Sequence, residues 1–327
     1  MENIFYFCQN IFIFSILKVY NSIFDFPEGL RSVVSVGTFD GVHKGHQAII
    51  KKMTGLAKEN GLVSVILTFD PHPRYALKKD DDKLKLLSTT EEKIARLENF
   101  GIDYVVVINF TPEFAKIPYE EFIKKYLAEA LNAKYVVVGF DHRFGENRSG
   151  NHQKLMDAKK EYGFEVVEIQ ALAEGNTSIS STKIRNLIEN RQIEQANKLL
   201  NYSYSISGKV VEGTRTGKKL GFPTANMFVE ERFKLIPATG VYAVKVEIDG
   251  KLHQGMCNIG FNPTFDERPF SIEAHIFDFE KDIYGKNIRI YFMSFIRMEQ
   301  KFASVQLLKE QLENDKKNCM EKIRELS

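Results

Sequence analysis

The amino-acid sequence predicts an α/β protein in two parts: a parallel sheet covered by helices, then an antiparallel sheet closed into a small barrel with a terminal helix. Three observations predict it. The chain has 327 residues, more than one hydrophobic core usually serves. From residue 33 to about 170, short β-branched runs alternate with longer amphipathic stretches. Beyond residue 203, apolar and polar residues alternate strictly along several short runs.

The first twenty residues, MENIFYFCQNIFIFSILKVY, are apolar, yet Glu2, Gln9 and Asn10 interrupt them. The front carries no positive charge and no small-residue cleavage pattern follows, which opposes a signal peptide. The uninterrupted apolar part is also shorter than the roughly 20 residues that span a bilayer. We expect residues 1–17 to be an upstream extension, with the natural start near Leu17.

The runs VVSVG, LVSVILTF, YVVVINF, YVVVGF and FEVVEIQ are continuously apolar, as strands buried on both faces of a parallel sheet should be. In such sheets ligands bind beyond the carboxyl ends of the strands. Polar stretches stand at those ends: TFDGVHKGH after the first run, DPHPR after the second and DHRFGENRSGN after the fourth. The charge run KKDDDKLK at 78–85 reads as a solvated loop. Residues 180–200, SSTKIRNLIENRQIEQANKLL, read as one helix closing the first half, with Ser or Thr capping its start. We place the domain boundary between about 187 and 203, giving domains 18–187 and 203–327.

In the second half, GVYAVKVEIDGKLHQGM sets Tyr242, Val244, Val246 and Ile248 on one face and Lys245, Glu247 and Asp249 on the other, with an Asp-Gly turn at 249–250. SIEAHIFDF and NIRIYFMSF alternate likewise, which suggests a sheet closing on itself. The chain ends in a helix whose stripe Leu308, Leu312, Cys319 and Ile323 can lie against that barrel.

Charge narrows the partners. With 45 basic against 43 acidic side chains the net charge is +2, and no basic block stands out, so a small molecule fits better than nucleic acid. Cys8, Cys257 and Cys319 form no paired spacing, which fits a reducing cytoplasm. We expect no membrane partner and no obligatory protein partner.

The stretch VGTFDGVHKGH at 36–46 places His43 and His46 three residues apart, just after a buried strand and opening a helix. Two imidazoles and free backbone N–H groups on one spot suit anionic oxygen. Gly45 lets phosphates approach the backbone. Zinc with Asp40 as a third ligand, and plain packing, are the competing readings.

VGTFDGVHKGH, TFDPHP, VVGFDHRFGENRSG and ISSTKIR, in this order, resemble the adenylyltransferase half of the bifunctional prokaryotic FAD synthetases. The resemblance implies a Rossmann-like nucleotidyltransferase domain in which His43 and His46 act on ATP phosphates, with Gly37, Phe39, Asp40 and Gly45 beside them. It further implies that Ser181, Thr182 and Arg185 form a second phosphate-binding segment. Asp70, His72 and Asp141 would lie by flavin or nucleotide. An arginine fork and hydroxyls capping a helix suit oxyanions on chemical grounds as well.

GTRTGKKLGFPTANM at 213–227 is glycine-rich and basic but is no P-loop: Gly213 and Gly217 stand one residue too close, and Lys218 is followed by lysine. GFPTAN instead looks like the riboflavin kinase signature, which implies a six-stranded barrel, ATP bound near Gly217 and Lys218, and Mg²⁺ held by Thr224 and Asn226. Oxygen ligands suit that hard cation. Riboflavin's terminal hydroxyl is a poor nucleophile and benefits from a base; Glu273 in SIEAHIFDF matches the family's catalytic glutamate. Arg297 in FIRMEQKF is implied to contact a ligand.

The resemblance covers residue 18 to the C-terminus. Lys218 stands where many members have arginine, Asn262 where NIG-x-RPTF members have arginine, and His142 where phenylalanine is common. The implied reaction is two-step FAD biosynthesis: riboflavin and ATP give FMN, then FMN and ATP give FAD and pyrophosphate. A transferase of the same fold with another substrate, or a flavin-binding regulatory module, are the rival readings.

Overall fold

The computed structural model describes residues 17–77, 84–140, 142–174, 177–213, 217, 220–261 and 270–326. Asp141, Lys218 and Asn262, and most of the 78–85 charge run, lie outside them. The chain divides into two compact units that do not follow the sequence in one piece. The first comprises residues 1–39, 46–79 and 90–171; the second comprises 40–45, 80–89 and 172–327.

The first unit is built on six parallel strands: β1 (Lys18–Tyr20), β2 (Ser32–Val36), β3 (Val63–Asp70), β4 (Tyr104–Asn109), β5 (Ala133–Gly139) and β6 (Glu165–Ile169), in the order β1-β4-β3-β2-β5-β6. All five expected strands are present. The three-residue edge strand β1, which pairs with β4, was too short to carry a period. Val34, Val36, Val65, Leu67, Val106 and Val136 form the core with Phe122, Leu127 and Phe164. The β-branched side chains pack well on a pleated surface covered on both faces. From β2 the chain winds outward to β3 and β4 on one side, and then to β5 and β6 on the other. The topological switch therefore falls between β2 and β5, where open α/β sheets bind ligands. The carboxyl end of β2 leads into VGTFDGVHKGH, and that of β5 into Phe140 and Asp141.

In the second unit, β9 (Ser205–Val211), β10 (Ala225–Phe228), β11 (Gly240–Ile248), β12 (Lys251–Gly260), β13 (Ser271–Ile276) and β14 (Asn287–Arg297) close a barrel in the order β10-β13-β12-β11-β14-β9, every pair antiparallel; two two-residue strands, β7 (Ala173–Glu174) and β8 (Thr177–Ser178), precede it as a hairpin. Alternation decides which side chains enter it. Tyr242, Val244, Val246 and Ile248, with Ile272, Ala274 and Ile276, join one large cluster. Ala243, Met256, Phe277 and Met293, from the opposite face, pack with Cys319 and Ile323 of the terminal helix Val305–Glu325. Ser304 caps that helix by accepting from the Leu307 N–H at 3.2 Å.

The segment 180–200 differs from expectation. It forms two helices, Ser181–Glu189 and Ile193–Leu200, broken where Arg191 takes φ +63° and its guanidinium donates to the Thr239 carbonyl at 2.9 Å. The apolar faces of both helices, with Ile184, Ile188, Ile193 and Leu199, belong to the barrel cluster, so burial there and not helix continuity sets their course. The expected cap is present, since Ser180 Oγ accepts from the Lys183 N–H at 3.3 Å.

Candidate active sites

The helix Lys44–Asn60 begins inside the first motif, so His43 directly precedes it and His46 lies in its first turn, where backbone N–H groups have no partner within the helix. The approach is unusual. Phe39, Gly41 and Val42 have φ of +48°, +78° and +38°. For a β-branched valine this is an outlier, costing about 1–3 kcal/mol. Phe39 and Val42 are nonetheless buried.

On the side of the first unit, the Phe39 ring packs at 5.1 Å from the His46 ring, and the Gly37 N–H donates to the Leu67 carbonyl at 3.0 Å, prolonging the β2–β3 ladder. Lys93 is buried beneath this strand end and donates to Thr38 O at 3.2 Å and Thr68 Oγ1 at 2.8 Å. It was not picked out from sequence; the only signal is a lysine one turn from buried Leu97 on the same helix face. At the end of β3, Asp70 is exposed, and His72 Nδ1 accepts from the Arg74 N–H at 3.2 Å, capping a short helix.

In the second unit Asp40 is a hub. Its buried carboxylate accepts from Leu87 N–H at 3.2 Å, Ser88 N–H at 3.1 Å and Arg185 Nη2 at 2.5 Å. Arg185 Nε donates to Lys85 O at 2.6 Å, and Ser181 Oγ donates to Asp40 O at 2.9 Å. Asp40 and part of the Arg185 fork thus hold each other, while Thr182 stands exposed in the first turn of its helix. His43 is buried, and burial pushes its pKa down to about 4 against the opposing pull of the Asp40 charge, so its imidazole is neutral near pH 7. A Cβ at Gly45 would stand 3.2 Å from that ring, so this glycine gives the histidine its room.

On the barrel, register assembles the site. Asn226 of β10 stands opposite Glu273 of β13, and Asn258 of β12 flanks Glu273 on its other side. Thr224 Oγ1 donates to Glu273 Oε2 at 3.2 Å and Ser271 Oγ to Oε1 at 3.0 Å. Ser271 was not anticipated, although alternation puts it on Glu273's face. His275, next on that face, meets the Pro223 carbonyl through Nδ1 at 2.7 Å and fixes the segment carrying Thr224. A Cβ at Gly213 would lie 2.1 Å from Asn226 Nδ2, so a side chain there would displace the Asn226 amide. The Gly217 carbonyl accepts from the Leu220 and Phe222 N–H groups, closing the turn before Thr224. Arg297 is engaged elsewhere: Nε and Nη2 bind the fully buried Asp315 carboxylate at 2.7–3.0 Å, tying β14 to the terminal helix. Thr224, Asn226 and Glu273 offer oxygen donors only, the set a hard cation takes together with phosphate oxygens.

The FAD synthetase family model matches residues 27–183, and the riboflavin kinase family model matches residues 200–323. The chain belongs to the bifunctional riboflavin kinase/FMN adenylyltransferase family. The protein of that description from Listeria monocytogenes is 40% identical over 292 residues, spanning 88% of this chain and 91% of the relative. Its Bacillus subtilis counterpart is 39% identical over 297 residues, spanning 90% and 93%. A crystal structure described as a macrolide-efflux protein from Streptococcus pneumoniae is 34% identical with a TM-score of 0.84, covering 92% of this chain and 98% of that one. It shares the fold over both units' length. Among the described residues no helix is long and apolar enough to cross a membrane.

Proposed function

We propose that this chain makes FAD in two ATP-dependent steps, with residues 203–327 phosphorylating riboflavin and residues 18–187 adenylylating the resulting FMN. The observation that carries the reading is the meeting of Glu273 on β13 with Asn226 on the adjacent strand β10 and with Thr224 just before it. Residues that the family resemblance assigns to base and metal, 47 to 49 positions apart, are brought together by register.

In the kinase step, the terminal hydroxyl oxygen of riboflavin bonds to the γ-phosphorus of ATP as the β–γ bridging bond breaks. The hydroxyl proton passes to Glu273, whose carboxylate is held on both oxygens by Thr224 and Ser271. Mg²⁺ fits Thr224 and Asn226 and, when bound, neutralises charge on the phosphates. In the adenylyl step, an FMN phosphate oxygen bonds to the α-phosphorus of the second ATP and pyrophosphate leaves. No base is needed, because the nucleophile is already an anion. His43 and His46 donate to phosphate oxygens beside the open helix end, where preorganised donors stabilise developing charge. Neutral His43 does this through N–H without adding a positive charge in the ground state. Arg185, held by Asp40, keeps the rest of its fork for phosphate oxygen. Asp70, His72 and Asp141 remain assigned to flavin or nucleotide, while Arg297 is given to Asp315; location in the cytoplasm belongs to the same proposal, and free, buried Cys257 and Cys319 suit a reducing compartment.

The test is chromatography of flavins after the purified chain is incubated with riboflavin, ATP and Mg²⁺. FMN followed by FAD is expected. FMN alone would remove the adenylyl reading, and riboflavin binding without turnover would favour a regulatory module.

A further inference from the structure

The turn around Asp40–Gly45 is braced from distant parts of the chain. Gly41 and Val42 sit at positive φ, and Ser88, Ser181, Arg185 and Tyr202, all far along the chain, bind Asp40 and Gly41. Tyr202, just beyond the second helix of the 180–200 segment, donates its hydroxyl to the Gly41 carbonyl at 2.5 Å. The Gly41 N–H donates to Ser88 Oγ at 3.0 Å, and Ser88 and Leu87 also bind Asp40, so a strap at 85–88 clasps the turn from the other side.

That strap is in turn docked on the stretch leading into barrel strand β11. The Leu86 N–H donates to Phe233 O at 2.7 Å and the Leu235 N–H to Leu86 O at 2.9 Å. Lys234 is only 4% exposed, and its ammonium donates to Leu87 O at 2.7 Å and lies 4.8 Å from the Tyr204 ring centroid. Burying a lysine is unfavourable unless it is paired. Here its partners are a carbonyl of the strap and an aromatic face, which fixes the strap's height.

We propose that Tyr202 and Lys234, both from the part of the chain matched by the riboflavin kinase family, are positioning residues for adenylyl transfer. Tyr202 holds the phosphate-binding turn directly and Lys234 holds it through the strap. This rests on the reading of His43 and His46 as the adenylyl-transfer site. It makes the second reaction depend on the barrel side of the molecule for the shape of its own motif, without any demand on the first reaction's chemistry.

The experiment uses full-length Tyr202→Phe, Lys234→Met and, as a control, His46→Ala, with both reactions measured at steady state. For the first two variants kcat/KM for ATP in FAD formation is expected to fall about tenfold, the scale of one lost buried hydrogen bond that leaves its acceptor unpaired. KM for FMN and the rate of FMN formation should stay within about twofold. A merely structural role would strike FMN formation first, because Lys234 adjoins the barrel. Equal loss of both activities therefore overturns the proposal, as does wild-type FAD formation by a folded Tyr202→Phe. If Lys234→Met does not fold, Tyr202→Phe decides alone, since it keeps the ring. If His46→Ala makes FAD normally, the adenylyl-site reading fails and the proposal falls with it; if His46→Ala is inactive and the other two are normal, only the positioning role fails.

Discussion

The two motifs that we assign to phosphate binding are built in opposite ways. The 37–46 motif is contiguous in sequence and strained in space, with Phe39, Gly41 and Val42 at positive φ and a buried ion pair of Asp40 with Arg185 underneath. The barrel motif is scattered in sequence and regular in space, with Asn226, Glu273 and Asn258 side by side on ordinary ladder positions. A strained turn needs braces, so its charged residues go partly to structure. A ladder gives orientation without bracing, so Glu273 can keep its carboxylate for chemistry. The difference teaches that motif acidity is no guide to role: Asp40 is a strut bound to Arg185, whereas Glu273 meets hydroxyls and is the residue we propose as base.

The largest expected effect breaks the comparison at its catalytic end. Glu273→Gln should lower FMN formation by about 10²–10⁴, the usual contribution of a positioned base, with FAD formation from supplied FMN unchanged. Steady-state rates with each flavin check it. His46→Ala should do the reverse, lowering FAD formation about 10²–10³ and sparing FMN formation, as for removal of one preorganised donor. If either change abolished both activities in a folded chain, the two motifs would not be separate sites.

The next effect tests the strut. Asp40→Asn leaves the Arg185 charge, 11% exposed, without its carboxylate, and removing one member of a buried pair costs about 3–5 kcal/mol. Denaturant unfolding should show that loss. The corresponding change at the barrel, Glu273→Gln, should cost well under half as much, because Glu273 is only half-buried and its neighbours there are hydroxyls. Equal costs would mean that the two carboxylates play the same role.

This contrast also explains what was legible in the sequence. The parallel strands were plain because continuous β-branched runs have few other uses, and β11 was plain from its alternation. Strands β9 and β10 gave little signal: β9 holds Gly208, whose Cβ would meet Phe228 O at 2.4 Å, and β10 is four residues long. Site residues were legible where the chemistry lies within one motif. They were opaque where the partner is distant: nothing at Asp40 announces Arg185, 145 positions on, and nothing at Arg297 announces Asp315 in the terminal helix. Ser88, Tyr202 and Lys234 carry no periodic or spacing signal, and Lys93 only its place one turn from Leu97, because their roles exist only once long-range contacts have formed.

The smallest effect separates the motifs by acid. His43 titrates at about 4 in the folded chain because burial disfavours its charged form, against about 6.5 when unfolded. Between those values the unfolded state binds more protons, so stability is fully present above pH 6.5 and declines as pH falls toward 4. His142, also lowered to about 4 by burial, and His275 of the barrel, lowered by burial as well, add slopes in the same direction. The measurement is the denaturant midpoint of wild type and His43→Gln from pH 7.5 to 4. The variant keeps a neutral side chain throughout, so the other two histidines cancel in the difference, and the wild-type curve should lose its advantage over the variant only below pH 6.5. A constant difference across the range would mean that the His43 ring stays accessible to water, and the strained turn would then not be the dry, braced pocket that sets it apart from the barrel.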